Sequence, residues 1–199
     1  MLTQDPRKEK TVVLLKPDAV KRGLIGEVLH RFEKAGLKVI ALKMVWVEES
    51  LVAKHYPDEK NYLTQVGQKT LKSYEEYGRD ANEELGTKDP FEIGKMVRKW
   101  NMEFLASGPV VAIIFQGLHA VDAVRMLVGN TLPRFAEPGT IRGDYSLDSP
   151  ILANLQKRTV KNIIHASGTV EEAKLEEELW FHKNEIHDYK RVDEQIMFE

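Results

Sequence analysis

Cysteine is absent from the 199 residues, which removes disulfides, thiolate nucleophiles and cysteine metal sites and fits a reducing compartment. No apolar run approaches the ~20 residues that cross a bilayer, and the polar start Met1 to Lys10 lacks the apolar stretch of a secretory leader. A cytoplasmic chain with no membrane partner is the expectation. Charge surplus is missing as well. The formal charge is -2 and the pI near 6.3, so specific capture of long nucleic acid is not expected, although a local cationic pocket is allowed. Internal repeats and linkers are absent too, and the length suits one domain spanning 1–199. What is present, 42% hydrophobic and 30% charged residues, is the make-up of a globular chain with a core.

Thr11 to Leu15 is a short β-branched run closed by Lys16-Pro17-Asp18, and Pro17 cannot donate to a ladder, so Lys16 sits at a strand's carboxyl end. Ile25, Val28, Leu29 and Phe32 then recur at helical spacing up to Ala35-Gly36. Leu37 to Val47 reads as a buried second strand whose Trp46 should pack rather than bind. Two or three helices are expected from Glu48 to Gly108, one of them capped at Asp89-Pro90. Pro109 to Phe115 is a third strand, and Leu118 to Val128 a helix with Val121, Val124 and Leu127 inward. Thr131 to Ser149 carries prolines and glycines and reads as a long functional loop. Asn162 to Ala166 makes a short strand, and Thr169-Val170-Glu171-Glu172 has capping-box form, opening a helix to about Phe181. The order predicts an α+β fold: a ferredoxin-like βαββαβ antiparallel sheet with helices on one face and extra helical insertions.

Six histidines are spread along the chain, and for most of them a surface or satisfied core imidazole is the ordinary reading. His165 differs. It follows Asn162-Ile163-Ile164 at the edge of a strand, and the small residues Ala166-Ser167-Gly168 behind it let a bulky ligand come close. A neutral imidazole has a free lone pair and attacks without a separate base, provided a carboxylate fixes its tautomer. Glu171, Glu172, Glu176, Glu177 and Glu178 all follow, and the residues alone do not choose among them. Transfer of a phosphoryl group is mainly positioning and charge stabilisation. Lys16, Arg125 and Arg142 are suitable cations, and Thr131 and Asn162 suitable hydrogen-bond donors; taken singly, each cation reads as a solvated surface charge and each donor as a turn residue, so only the ensemble points to this chemistry.

Leu15-Lys16-Pro17-Asp18, Pro138 to Asp144 and Asn162 to Ser167, three separated motifs in order, resemble the nucleoside diphosphate kinase family. Arg22 to Glu27, Ser107 to Val111, Leu179-Trp180-Phe181 and Asp188-Tyr189 extend the match from about Lys10 onward. The resemblance implies ping-pong exchange between nucleoside triphosphates and diphosphates through phosphohistidine at Nδ1 of His165. Glu176 would orient the ring and Ser167 would stand beside it. Lys16, Tyr56, Arg125, Thr131, Arg142 and Asn162 would contact nucleotide, with Tyr62 as the candidate for stacking on the base. Mg²⁺ would arrive held by substrate phosphates and water, and a homo-oligomer, a hexamer by preference, would be the assembly.

The chain departs from the family pattern where Ala166 follows the histidine in place of the usual glycine, and where Gly168 replaces the usual aspartate. Two stretches, about 57–106 and 145–161, are longer than the family norm, and Asp148-Ser149-Pro150 in the second reads as a helix start. Two other readings compete. An RNA-stacking βαββαβ module needs exposed aromatics on its central strands, and Thr11 to Leu15 has none. A catalytically inactive relative serving assembly or regulation would not need the retained His165, Glu176, Lys16, Arg125, Arg142 and Asn162.

Overall fold

Thr11 to Leu15 are buried at every position, not at alternate ones, and that continuity sets the architecture. In the computed structural model, which describes residues 5–198, this run is the inner part of β1 (Glu9–Leu15), followed by α1 (Pro17–Lys21) and α2 (Ile25–Lys34). Residues 1–4, part of the polar start, and residue 199 lie outside the described residues. The chain continues through β2 (Lys38–Trp46), α3 (Glu49–His55), α4 (Lys60–Glu76), α5 (Ala81–Leu85), α6 (Pro90–Leu105) and β3 (Pro109–Gly117). Then come α7 (Ala120–Val128), α8 (Ile141–Tyr145), α9 (Pro150–Leu155), β4 (Ile164–Ala166), α10 (Val170–Trp180) and α11 (Glu194–Phe198).

The strands lie in the order β2-β3-β1-β4, every neighbouring pair antiparallel, which is the ferredoxin-like arrangement expected. The expectation of helices on one face is corrected: both faces are covered. Val13, Leu15, Ile113 and Phe115 pack with Phe32 of α2 and Val124 of α7 on one side. On the other, Val12, Leu14, Ala112 and Ile114 pack with Val52 of α3, Leu105 of α6 and Trp180 of α10. A strand buried on both faces reads as an unbroken apolar run, where a half-exposed one alternates. Trp46 is a second correction. It is 68% exposed because β2 is an edge strand whose outer half alternates Leu42, Met44 and Trp46 toward solvent. Its indole N–H donates to the Ala106 carbonyl at 3.0 Å.

The two lengthened stretches meet. Helices α4 and α6 cross with Gly67 and Gly94 at the contact, where a Cβ on either would overlap the backbone carbonyl of Pro90 or Leu63 respectively. Asp89 caps α6 through the amides of Phe91 and Glu92, and Ser149 caps α9. Helix α9 packs on α4, and the Thr159 hydroxyl bonds the Asn101 side chain of α6. The loop from Thr131 to Ser149 is more ordered than its composition suggests. It holds a 3-10 turn at Pro133–Phe135 and then α8, whose N-cap Thr140 accepts the Gly143 amide at 3.1 Å.

Candidate active site

β4 begins two residues later than the sequence implies because the backbone turns sharply at Ile163, with φ of 58°. The Ile164 amide reaches back to the Asn162 carbonyl at 2.7 Å, closing a three-residue turn. A left-handed β-branched residue costs about 1–2 kcal/mol, so the turn needs bracing. Ile163 donates its amide to Asp18 Oδ2 at 3.1 Å, its carbonyl accepts the Lys16 amide at 2.9 Å, and its side chain is buried. This turn delivers His165 opposite Leu14 on the neighbouring strand.

Helix α10 supplies the orienting acid. Ala173, Glu176 and Trp180 form its buried stripe, so Glu176 is the one glutamate of the five that points inward; Glu177 pairs with Lys10, and Glu172 accepts the Gly168 amide at 2.7 Å. His165 Nε2 lies 2.6 Å from Glu176 Oε1, and the Ser167 hydroxyl donates to Oε2 at 2.6 Å. A carboxylate only accepts, so the imidazole proton is on Nε2 and the lone pair on Nδ1. The side chain of His165 is 22% exposed. Burial, and then the cations Lys16, Arg142 and Arg125 acting against Glu172, hold it below the usual histidine range and keep it neutral. Burial raises Glu176, opposed by the Ser167 hydrogen bond and by His55.

The cations are themselves pinned. Lys16 donates to Asn162 Oδ1 at 2.7 Å; burial, reinforced by Arg142 and opposed by Asp18, lowers it to about 8. Arg142 is a buried brace. Its guanidinium donates to the carbonyls of Asn162, Gly129 and Ile164 at 3.3, 3.0 and 2.6 Å, and burial followed by Arg125 lowers it to about 10. Three of its five N–H groups are used this way, leaving two for a ligand. Arg125, in the last turn of α7, is exposed and makes no ion pair among the described residues. Asn162 is satisfied on both sides, its Nδ2 donating to the Thr131 carbonyl at 2.8 Å.

The structure thus brings Lys16, Arg125, Arg142, Asn162, Ser167 and Glu176 around His165. Thr131 joins through its backbone, with its side chain exposed. Tyr56 stacks edge-on to His55 at 4.8 Å, and burial, with Tyr62 and Glu176 nearby, raises its phenol above the ordinary range. Tyr62, in the first turn of α4 and 39% exposed, lines a small cleft with Tyr56, Leu63 and Arg98. Gly168 explains itself locally: the Glu172 carboxylate sits where a Cβ would point, 2.7 Å away, with Arg125 just beyond.

Sequence reasoning passed over two residues. Asp18 stands in the motif Lys16-Pro17-Asp18, and nothing local marks it as a brace for a turn 145 residues away. His55 is the second, with nothing in its sequence but its neighbour Tyr56 to set it apart from the other histidines. It is buried against His165 with ring centroids 4.7 Å apart and nearly perpendicular. Period narrows the orienting acid to Glu176 and Glu177, which share a helix face with Ala173 and Trp180 at i, i+3 or i+4 and i+7, and only the packing of α10 picks Glu176.

The chain as a whole is similar to known proteins. A family model described as nucleoside diphosphate kinase matches residues 9–68 and 92–186, leaving out 69–91 inside the first lengthened stretch. A nucleoside diphosphate kinase from Pyrobaculum aerophilum is 48% identical over 178 residues, 89% of this chain and 97% of its own length. One from Borreliella burgdorferi is 38% identical over 94% of this chain and 95% of its own. Among solved structures, an NDP kinase from Pyrobaculum aerophilum superposes with a TM-score of 0.89 at 46% identity, covering 91% of this chain and all of that one. A transition-state mimic of the Borrelia burgdorferi enzyme with bound vanadate and ADP gives 0.76 at 36% identity, covering 96% of both chains.

Proposed function

The chain belongs to the nucleoside diphosphate kinase family, and on that premise we propose that His165 is the nucleophile that carries the phosphoryl group between nucleotides. The observation that carries this is the neutral imidazole whose Nε2 is taken by Glu176, which leaves the Nδ1 lone pair for attack while Lys16, Arg142 and Arg125 press on the same ring. In the first half-reaction a bond forms between Nδ1 and the γ-phosphorus of a nucleoside triphosphate. The bond from that phosphorus to the bridging oxygen breaks, and the electron pair leaves with the diphosphate. An acceptor diphosphate then reverses the step.

Lys16 and the two remaining N–H groups of Arg142 would neutralise charge on the moving group, with Arg125 free to close on the phosphates. Asn162, Thr131 and Tyr56 would contact phosphate and sugar, and Tyr62 would offer a face to the base. Mg²⁺ would come with the nucleotide. Among the described residues the one grouping of metal-ligating atoms is His55, His165 and Glu176, a nitrogen-rich and largely buried set that does not suit a hard octahedral ion; phosphate oxygens and water would hold it and offset phosphate charge. The chain would work as one domain in the cytoplasm; no helix among the described residues is long and apolar enough to cross a membrane. Assembly into a homo-oligomer, a hexamer by family resemblance, is in keeping with Leu42, Met44 and Trp46 exposed on the edge strand.

The test is covalent labelling. Incubation with a γ-labelled triphosphate and Mg²⁺ should leave acid-labile, alkali-stable label on the chain, and His165→Ala should abolish it. Label that persists in that variant removes His165 from the role.

A further inference from the structure

Behind the nucleophile lies a second histidine that the proposed reaction does not use. His55, at the end of α3, is buried, and every group facing it is identifiable: His165 from β4, Glu176 and Trp180 from α10, Lys16 at the end of β1, and its neighbour Tyr56. Its Nδ1 lies between two partners of opposite demand. The Trp180 indole, which only donates, points its N–H at Nδ1 across 3.4 Å, and Glu176 Oε1 stands 3.5 Å from the same nitrogen. That oxygen is also the one His165 holds at 2.6 Å.

A nitrogen cannot receive the indole proton and carry its own toward the same space. The Trp180 contact therefore selects the His55 tautomer with its proton on Nε2, and it excludes the imidazolium, which bears protons on both nitrogens. Burial, followed by His165 and Lys16 and opposed by Glu176, acts in the same direction, lowering His55 to about 3. With Nδ1 kept as an acceptor, His55 has nothing to donate to Glu176, and Oε1 remains reserved for His165.

We propose that Trp180 is a positioning residue acting through His55: its indole N–H locks the tautomer of His55 and so keeps the Glu176 oxygen exclusive to the nucleophile. This rests on the reading of His165 as the phosphorylated residue. Without the indole N–H, His55 can place a proton on Nδ1 and compete for Oε1. His165 then loses its single orientation, and the competition strengthens as falling pH charges His55.

The experiment combines three variants with one measurement on the unaltered protein. Trp180→Phe keeps the ring and removes the donor. The rate of chain phosphorylation from a γ-labelled triphosphate should fall about 3- to 10-fold, the worth of one hydrogen bond, with KM nearly unchanged and the acid limb of the rate displaced to higher pH. Adding His55→Phe to that variant removes the competing proton and should return the limb to its original position. In the unaltered protein, ¹⁵N shifts of the His55 ring should show Nδ1 unprotonated across the neutral range, a reading that does not depend on any variant folding. A protonated Nδ1 there, or a Trp180→Phe enzyme with the original rate and pH profile, or a double variant with the limb still displaced, would each overturn the inference. The His165→Ala control separates the two levels: persistent label defeats the reading of His165, whereas lost label with an unaffected Trp180→Phe defeats the tautomer lock alone.

Discussion

The carboxylate of Asp18, at the first turn after β1, accepts the amide of Ile163 at 3.1 Å, two residues before the histidine at the centre of the site. The other carboxylate oxygen takes the amide of Ala19 at 3.1 Å. Asp18 thus ties the end of one strand to a left-handed turn that an isoleucine adopts only under constraint. Strained residues at functional sites persist where their surroundings over-determine them, and here the hydrogen bond that the Ile163 amide donates to Asp18, the one its carbonyl accepts from the Lys16 amide and its buried side chain all do so.

Asp18→Ala should therefore loosen the turn without touching the ring of His165. The expected outcome is a stability loss of about 1.5–3 kcal/mol, that of a hydrogen bond to a charged group, together with a phosphorylation rate that falls more than KM rises. Chemical denaturation and single-turnover labelling measure the two. Unaltered turnover in a variant that has lost stability would show that the brace serves the fold alone.

The two arginines separate by burial. Arg125 is exposed and without an ion pair among the described residues, so Arg125→Ala should lower transfer on the order of 10² to 10³ with little change in melting temperature. Arg142 satisfies three backbone carbonyls. Lysine lacks the planar fork, so Arg142→Lys should lower transfer and also cost at least about 2 kcal/mol in stability, because buried acceptors are left unmet. Melting curves beside coupled kinetics decide it, and equal stability in the two variants contradicts the division of labour.

Lys16 sets an alkaline limit. Its ammonium is lowered to about 8, chiefly by burial, so the cation is present below that pH and is lost as pH rises through it. kcat/KM, which reports the free enzyme, should fall above about pH 8, whereas kcat should fall only at higher pH because bound phosphates favour the ammonium. Lys16→Arg should remove the alkaline limb, since guanidinium does not deprotonate in that range. A kcat/KM profile still flat one to two units beyond pH 8 would show that the ammonium is not the titrating group.

Much of this was written in short stretches of chain. The unbroken apolar run Thr11 to Leu15, the stop at Pro17, the caps at Asp89, Ser149 and Thr169 and the small residues after His165 are local features. Local physics of propensity, capping and period acts within one or two turns, so strands, helix starts and the family motifs could be read directly. The covering of both sheet faces is also encoded in that lack of alternation, whereas the element order alone suggests one covered face.

What the sequence could not decide are relationships between elements far apart along the chain. Which of five glutamates meets the histidine depended on the rotation of α10 against β1, which buries Ala173, Glu176 and Trp180 together. The exposure of Trp46 depended on β2 lying at the sheet's edge, and the conversion of Arg142 from a surface charge into a brace depended on α8 docking under β4. The pairing of Asp18 with Ile163, and of Trp180 with His55, spans 145 and 125 residues. Desolvation, hydrogen-bond satisfaction and the field of neighbouring charges arise only when the chain is packed, and these lower the imidazoles and the lysine. The sequence by itself determined which groups are present and which elements carry them; the tertiary structure decided their distances and burial, and through these their protonation.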